Sequence, residues 1–320
     1  MKTDSQYDVA TVTLNPAIDL TMTVPGFAAG GVNRAVQTLT HAGGKGVNVA
    51  AVLADYGFWV AATGFLGREN TGLFDGLFER RGIDNKFVRI PGATRTGIKI
   101  VDPNTGQTTD INLPGQEATS ADMEILRQQM RSLDSEWVVL AGSVPPGVPA
   151  GVYRDLVVML KQQGRRVALD TSGDPLQLAI DSGADVLKPN VAELSDLLGE
   201  PVATADQIVR AARSLVRRGA KLVVVSQGAA GAWFVSDDEA VLAKPPAVEV
   251  ASTVGAGDAM VAGIVAAHLD ELDLGDCARL ATAFSLEAVG RVGAGLASRA
   301  NTLKLAETVQ LARAGEAICI

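Results

Sequence analysis

Gly255-Ala256-Gly257-Asp258 sets two glycines and an acid ahead of an apolar run that reads as a helix over 255–269. Glycine lets the main chain take conformations that other residues resist, and it lets N–H groups approach a bound group closely. A helix opening at such a turn presents unpaired N–H donors and a partial positive charge, which together hold an anion. Asp258 falls in that first turn, beside the place an anion would lie. The same four residues also suit a purely structural role, the acid complementing the helix dipole and the glycines making a tight strand-to-helix turn.

Three further motifs sit where strands end. Gly43-Gly44-Lys45-Gly46-Val47-Asn48 combines small residues, a cation and an amide at the start of a helix. Lys188-Pro189-Asn190 joins a strand end to a helix, and Glu193 is spaced to reach back and cap it. Ser226, Gln227, Gly228, Ala229, Ala230 and Gly231 form a small-residue loop after a strand, which a plain β-turn would also explain. The better-known phosphate loops are missing. Gly44-Lys45 is followed by Gly46, not by Ser or Thr, and neither Gly255/Gly257 nor Gly293/Gly295 is completed by a third glycine at the dinucleotide-binding spacing. A protein-kinase catalytic loop is absent as well.

The elements that must position these motifs alternate. Residues 8–14 read as a buried strand, followed by a turn at Asn15–Asp19, and 21–24 and 32–36 read as edge strands. A helix over 47–56 ends at Gly57, a strand covers 59–63, and a helix over 71–81 ends at Gly82. Residues 95–101 and 108–113 read as a hairpin turned by Asp102-Pro103-Asn104-Thr105-Gly106. From 119 the rhythm is regular: helix 119–132, strand 137–141, helix 150–163, strand 166–170, helix 174–181, strand 185–187, helix 190–198, helix 205–218 and strand 221–226. The hairpin 232–243 and helices 255–269, 273–289 and 302–314 complete the chain. Alternating strands and helices predict an α/β fold with a mainly parallel, doubly wound sheet and ligands at the carboxyl ends of its strands. The two β excursions, approximately 20–37 and 94–113, predict a small β lid inserted in a single domain spanning 1–320.

Composition narrows the partners. Hydrophobic residues are 47% and charged residues 20% of 320, which suits a globular protein with a sizeable core. The formal net charge of −8 argues against nucleic acid and anionic membrane as partners. Cys277 and Cys319 stand far apart with no metal-ligand spacing, and His41 and His268 are too few for a histidine-rich metal site. The polar N-terminus lacks a signal-peptide core and no apolar run is long enough to span a bilayer, so the expected location is cytoplasmic.

With these motifs in this order, the sequence resembles the phosphofructokinase B branch of the ribokinase-like sugar kinases over nearly its whole length. Gly43–Asn48 is similar to the family's first signature, and Ser252–Asp258 with Ala259–Gly263 to its second. Thr13-Leu14-Asn15-Pro16-Ala17-Ile18-Asp19 and Gly64-Phe65-Leu66-Gly67 add to the likeness. The resemblance implies a ribokinase-like fold, and with it ATP, Mg²⁺ and, as in some relatives, a monovalent cation. Asp258 would be the general base for the attacking sugar hydroxyl. The N–H groups of Gly255, Ala256 and Gly257 would hold the migrating phosphoryl group. Lys188, Asn190 and Glu193 would lie near the triphosphate, with Glu193 orienting Mg²⁺ through water, and 226–231 would line the nucleotide. Asp19, Gly43, Gly44 and Asn48 would bind the sugar; Arg95, Lys45 and Ser143 are the candidates for its phosphate. Arg34 and Lys99 read as solvated strand residues nearby. Val254 departs from the family, where many members carry a hydroxyl. The implied reaction is phosphorylation of D-fructose 1-phosphate at O6, with tagatose 6-phosphate or fructose 6-phosphate as rival acceptors and a non-catalytic sugar-phosphate sensor as a rival of another class. The lid is expected to close over the sugar and to pair with a second copy as a homodimer.

Overall fold

A computed structural model describes residues 6–248, 254–291 and 293–314. Its strands, in chain order, are β1 (Tyr7–Thr13), β2 (Ala17–Thr23), β3 (Gln37–Gly43), β4 (Val60–Gly67), β5 (Asp84–Ile90), β6 (Thr96–Asp102), β7 (Gln107–Asn112), β8 (Ser135–Ala141), β9 (Arg166–Asp170), β10 (Val186–Leu187), β11 (Leu222–Ser226), β12 (Ala232–Val235), β13 (Ala240–Lys244) and β14 (Gln310–Arg313). The helices are α1 (Lys45–Tyr56), α2 (Gly72–Arg81), α3 (Ser120–Ser132), α4 (Val152–Gln162), α5 (Gly173–Ala179), α6 (Val191–Leu198), α7 (Ala205–Arg217), α8 (Ala256–Leu269), α9 (Leu274–Val289) and α10 (Arg299–Glu307).

Ten strands form one sheet in the order β14-β13-β12-β11-β10-β9-β8-β1-β4-β5. The run from β11 to β5 is parallel, and β12, β13 and β14 add antiparallel strands at one edge. Parallel strands covered on both faces are apolar on both, and β1 and β8 show why. Ala10, Val12, Val138 and Leu140 enter one core, while Val9, Trp137 and Val139 enter the other. α8 is apolar all round because it is buried all round, packed on α9 and α1. Its approach to α9 depends on Gly263, where a Cβ would stand 2.6 Å from the Ala281 Cα.

The lid is a second sheet of four strands, β3-β2-β6-β7. Its outline differs from the sequence reading. Strand 32–36 does not form: Asn33 folds that segment back on itself, accepting from the Ala28 N–H at 3.0 Å and donating to the Ala28 and Gly31 carbonyls at 2.8 and 3.2 Å. The strand therefore starts at Gln37 and runs to Gly43. The expected turn at Asn15–Asp19 ends early, since Ala17 already pairs with Gly43, and Asp19 lies within β2. β5 is a further strand that the sequence pattern does not announce. The helix expected over 302–314 stops at Glu307, because residues 310–313 pair with β13 instead, and β14 completes the edge of the sheet. Among the described residues no helix is long and apolar enough to cross a membrane.

Candidate active site

Three parallel strands end on residues of interest: β9 on Asp170, β10 just before Lys188 and β11 on Ser226. α8 opens over this carboxyl edge at Gly255, whose φ of 81° is left-handed. Among the described residues, a Cβ on Gly255 would meet nothing within 4 Å. Ala256, Gly257 and Asp258 make the first helical turn, whose N–H groups lack helical acceptors. Ser252 and Thr253 of the expected second signature lie outside the described residues, as does Cys319.

Asp258 is 7% exposed. Asn48, in the first turns of α1, donates through Nδ2 to Asp258 Oδ2 at 2.8 Å. Burial, reinforced by the like charge of Asp170, pushes the Asp258 carboxyl up from 3.8 to about 6, against the pull of Asn48, Lys45 and Lys188. Such a group is ionised at neutral pH yet basic enough to take a proton from a hydroxyl that is losing it.

Two lysines and a second acid surround it. Asp170 is 1% exposed, and its Oδ1 faces Lys45 Nζ at 3.2 Å and Lys188 Nζ at 3.5 Å. Its Oδ2 is buried without a hydrogen-bond partner. Burial works against the charge on Lys45, but Asp170, Asp258 and Glu193 outweigh it and hold the ammonium above its usual range. A Cβ on Gly257 would stand 3.4 Å from Lys188 Nζ, which places that ammonium against the first turn of α8. Nothing in the sequence singles out Asp170, although it ends its strand as Ser226 does and Lys188 follows directly on its own.

Glu193 and Asn190 form a reciprocal cap on α6. The Asn190 N–H donates to Glu193 Oε2 at 2.9 Å, and the Glu193 N–H donates to Asn190 Oδ1 at 2.8 Å. The structural reading of Glu193 is thus realised, while its charge still acts on Lys45. Asn190 also pairs with Ser226 in an isolated parallel bridge. The loop beyond Ser226 closes where the Gln227 N–H meets the Gly231 carbonyl at 2.8 Å. Gly228, Ala229 and Ala230 form a single exposed 3-10 turn between them. Gly231 has φ of 98°, and a Cβ there would collide with the Ala243 carbonyl.

On the lid side, a Cβ on Gly43 would collide with the Asp19 carboxylate, so the glycine lets that carboxylate lie against the backbone. Gly44, with φ of 120°, turns the chain into α1. Burial raises the Asp19 carboxyl, opposed by His41, Arg95 and Lys99. Arg95 donates through Nη2 to the Asn15 carbonyl and through Nη1 to the Leu113 carbonyl, both at 3.3 Å, and its Nε is buried without a partner. Burial lowers its affinity for its proton, with Asp19 restoring part of it. Asn15 Nδ2 donates to Ser143 Oγ at 3.0 Å. Arg95 and Ser143 are therefore joined through Asn15, whereas Lys45 lies with Asp170. Asn48, expected on the sugar face, has its amide on Asp258. Lys99 is paired with Asp110 at 2.6 Å, and Arg34 is exposed.

An anion cradle at a helix start, a buried carboxylate within it and paired lysines beside it, on the carboxyl edge of a doubly wound sheet, define a phosphotransferase. The chain belongs to the pfkB family of carbohydrate kinases, whose model matches residues 10–301. It is 50% identical to a 1-phosphofructokinase of Rhodobacter capsulatus over 304 residues, 94% of this chain and 96% of that protein. The crystal structure of phosphofructokinase-2 from Escherichia coli in complex with fructose-6-phosphate matches with a TM-score of 0.87 at 28% identity, covering 94% of this chain and 99% of that one. The same enzyme in complex with potassium matches with a TM-score of 0.87 at 29% identity, with the same coverage. The fold is ribokinase-like.

Proposed function

We propose that this enzyme transfers the γ-phosphoryl group of ATP to O6 of D-fructose 1-phosphate, giving fructose 1,6-bisphosphate and ADP. The observation that carries the reading is the nearly buried Asp258 in the first turn of α8, bonded to Asn48 and faced by Lys45 and Lys188. The choice of acceptor follows the 1-phosphofructokinase with which the chain shares half its residues.

Asp258 takes the proton of the 6-hydroxyl as its oxygen approaches the γ-phosphorus, and Asn48 fixes which carboxylate oxygen is free to do so. The phosphoryl oxygens lie on the N–H groups of Gly255, Ala256 and Gly257, where the helix N-terminus favours negative charge. Lys45 and Lys188, held by Asp170, add fixed positive charge. Positioning and charge stabilisation carry most of the barrier reduction in phosphoryl transfer. The nucleotide runs along Lys188, Asn190 and the loop of Ser226, Gln227, Gly228, Ala229, Ala230 and Gly231. Asp19, Gly43 and Gly44 face the sugar, and Arg95 with Ser143 takes its phosphate, since only two of the five guanidinium N–H donors are held by the Asn15 and Leu113 carbonyls.

Magnesium fits this set of groups. The unpartnered Asp170 Oδ2 and the Glu193 carboxylate are hard oxygen acceptors suited to a hydrated cation. When bound, the ion would neutralise charge on the triphosphate. A monovalent cation is suggested by the potassium complex of the related enzyme. The lid leaves Val32, Val36, Ile111 and Leu113 exposed, and we assign these apolar side chains to the interface of a homodimer that closes over the sugar. A kinase that consumes ATP and a sugar phosphate works in the cytoplasm, where both are found.

Steady-state kinetics with ATP and fructose 1-phosphate, fructose 6-phosphate or tagatose 6-phosphate, followed by ADP release, tests the acceptor. The highest kcat/KM is expected for fructose 1-phosphate, and a higher value for either rival overturns the assignment. A protein that binds these compounds without turning any of them over would be a sensor.

A further inference from the structure

The lid carries a polar row beyond the groups gathered around Asp258. In the ladder, His41 lies opposite Asp19, Asp19 beside Gly97, and Gly97 opposite Asn112. Directly paired residues project from the same face of a sheet. His41, Asp19 and Asn112 therefore stand in one line across all four strands, with a gap at Gly97. A Cβ on Gly97 would stand 3.1 Å from Asp19 Oδ1 and 3.6 Å from Asn112 Oδ1, so both side chains border the gap. On the other flank, His41 Nε2 is 4.0 Å from Asp19 Oδ2, and each of these side chains is 32% exposed. That separation is longer than a hydrogen bond.

The chemistry of the row is ordered. Asp19 in its ionised form only accepts hydrogen bonds, whereas an imidazole and a carboxamide each donate and accept. His41, Arg95 and Lys99 favour the Asp19 carboxylate, and Asp110 opposes it. Lys99 is taken up by Asp110 in the next row of the same face, so it does not fill the gap. His41 lies two residues before Gly43 and four before Lys45, on the strand that delivers the first signature. Asp19 and Asn112 stand on strands two spacings apart, roughly 10 Å, and Gly97 on the strand between them carries no side chain. A sugar ring offers several neighbouring hydroxyls, each both donor and acceptor, and its flat face needs no side chain beneath it.

We infer that His41 and Asn112 are substrate-recognition residues: the acceptor sugar rests over Gly97, Asp19 accepts from one hydroxyl, and His41 and Asn112 bond the hydroxyls on either side. The inference rests on the reading of the acceptor as a sugar phosphate. It gives the lid a specificity role beyond closure, because a sugar whose hydroxyls point elsewhere leaves the polar row beneath it unpaired.

The test uses the full chain and the sugar phosphate with the highest kcat/KM in the wild type, so a different acceptor refutes the assigned substrate while the row is still probed. His41→Ala and Asn112→Ala should each raise KM for the acceptor about five- to ten-fold, the loss of one hydrogen bond, while KM for ATP stays within about two-fold. His41→Gln, which keeps a donor and an acceptor, should recover most of the loss. Gly97→Ala should raise the acceptor KM by crowding the ring. On deoxy analogues lacking one ring hydroxyl, the His41→Ala penalty should vanish for the hydroxyl that His41 bonds. Calorimetric titration with fructose 1-phosphate gives the same comparison without turnover. Acceptor affinity within about two-fold of wild type in both alanine variants overturns the inference. So does an equal rise in KM for ATP and acceptor with no rescue by His41→Gln, which marks a structural role.

Discussion

Asp258 carries opposite demands. Its burial beside Asp170 makes it basic, and the same burial costs stability whenever it is ionised. Because its folded-state value of about 6 lies above the ordinary 3.8, the folded protein binds that proton more tightly than the unfolded chain. The cost is therefore fully present above about pH 6 and disappears as the pH falls below about 4. The rise from 3.8 to about 6 corresponds to on the order of 3 kcal/mol as an upper bound. Asp258→Asn should lower kcat by a factor of about 10² to 10⁴ while nucleotide binding is retained. The same variant should melt a few degrees higher than wild type at pH 8 and show little gain at pH 4. Turnover equal to wild type would remove Asp258 from the role of base. In wild type, kcat/KM should fall as the pH drops through about 6, with a limiting slope of about one in a logarithmic plot; a flat profile down to pH 5 would contradict a carboxylate base with this environment. Asp258 and its glycines are legible in the sequence because their types and spacing are local. Asp170 is not, because nothing near it in the chain announces two lysines from other elements.

The element that carries Asp258 is α8, and its depth is set by α9. Gly263 faces the Ala281 backbone and the Phe284 ring so closely that a methyl group there has no room. Gly263→Ala should force the two helices apart and cost roughly 1–3 kcal/mol, the usual range for overpacking. The loss should appear as a lower melting temperature, together with reduced turnover as the first turn of α8 shifts; an unchanged melting curve would mean that the helices separate freely. At this scale the sequence is readable where glycine and capping residues punctuate it, as with Gly57 and Gly82, which both end their helices in left-handed conformations. It misleads where a short apolar run suits either period. Residues 310–313 have a helix-compatible pattern, and the open edge of β13 makes them a strand. The lid strand after Asn33 starts late for a different reason, a side chain hydrogen-bonding its own loop.

At the scale of the whole molecule, the lid segments carry exposed large apolar side chains. Val36 is 70% exposed and Ile111 48%. A dimer joined through this sheet predicts twice the monomer mass by light scattering at micromolar concentration. Val36→Asp combined with Ile111→Asp should shift the protein to monomer and raise the acceptor KM, since Asp19 and Arg95 depend on the lid for their placement. A wild-type protein that is monomeric throughout would refute the lid as an interface.

The sequence by itself determined the alternation of strands and helices, the glycine-opened turn before Asp258, the caps and the apolar core strands. These depend on residues within a few positions of one another, where backbone preference and side-chain period act directly. The tertiary structure decided which motifs meet. Asn48 reaches Asp258 across 210 residues, and Lys45 reaches Asp170 across 125. Contacts at such separations follow from the order of strands in the sheet and the packing of two cores, which no local stretch encodes. That order brings Asn48, Lys45, Asp170, Lys188 and Asp258 together, and it sets His41, Asp19 and Asn112 in a single line.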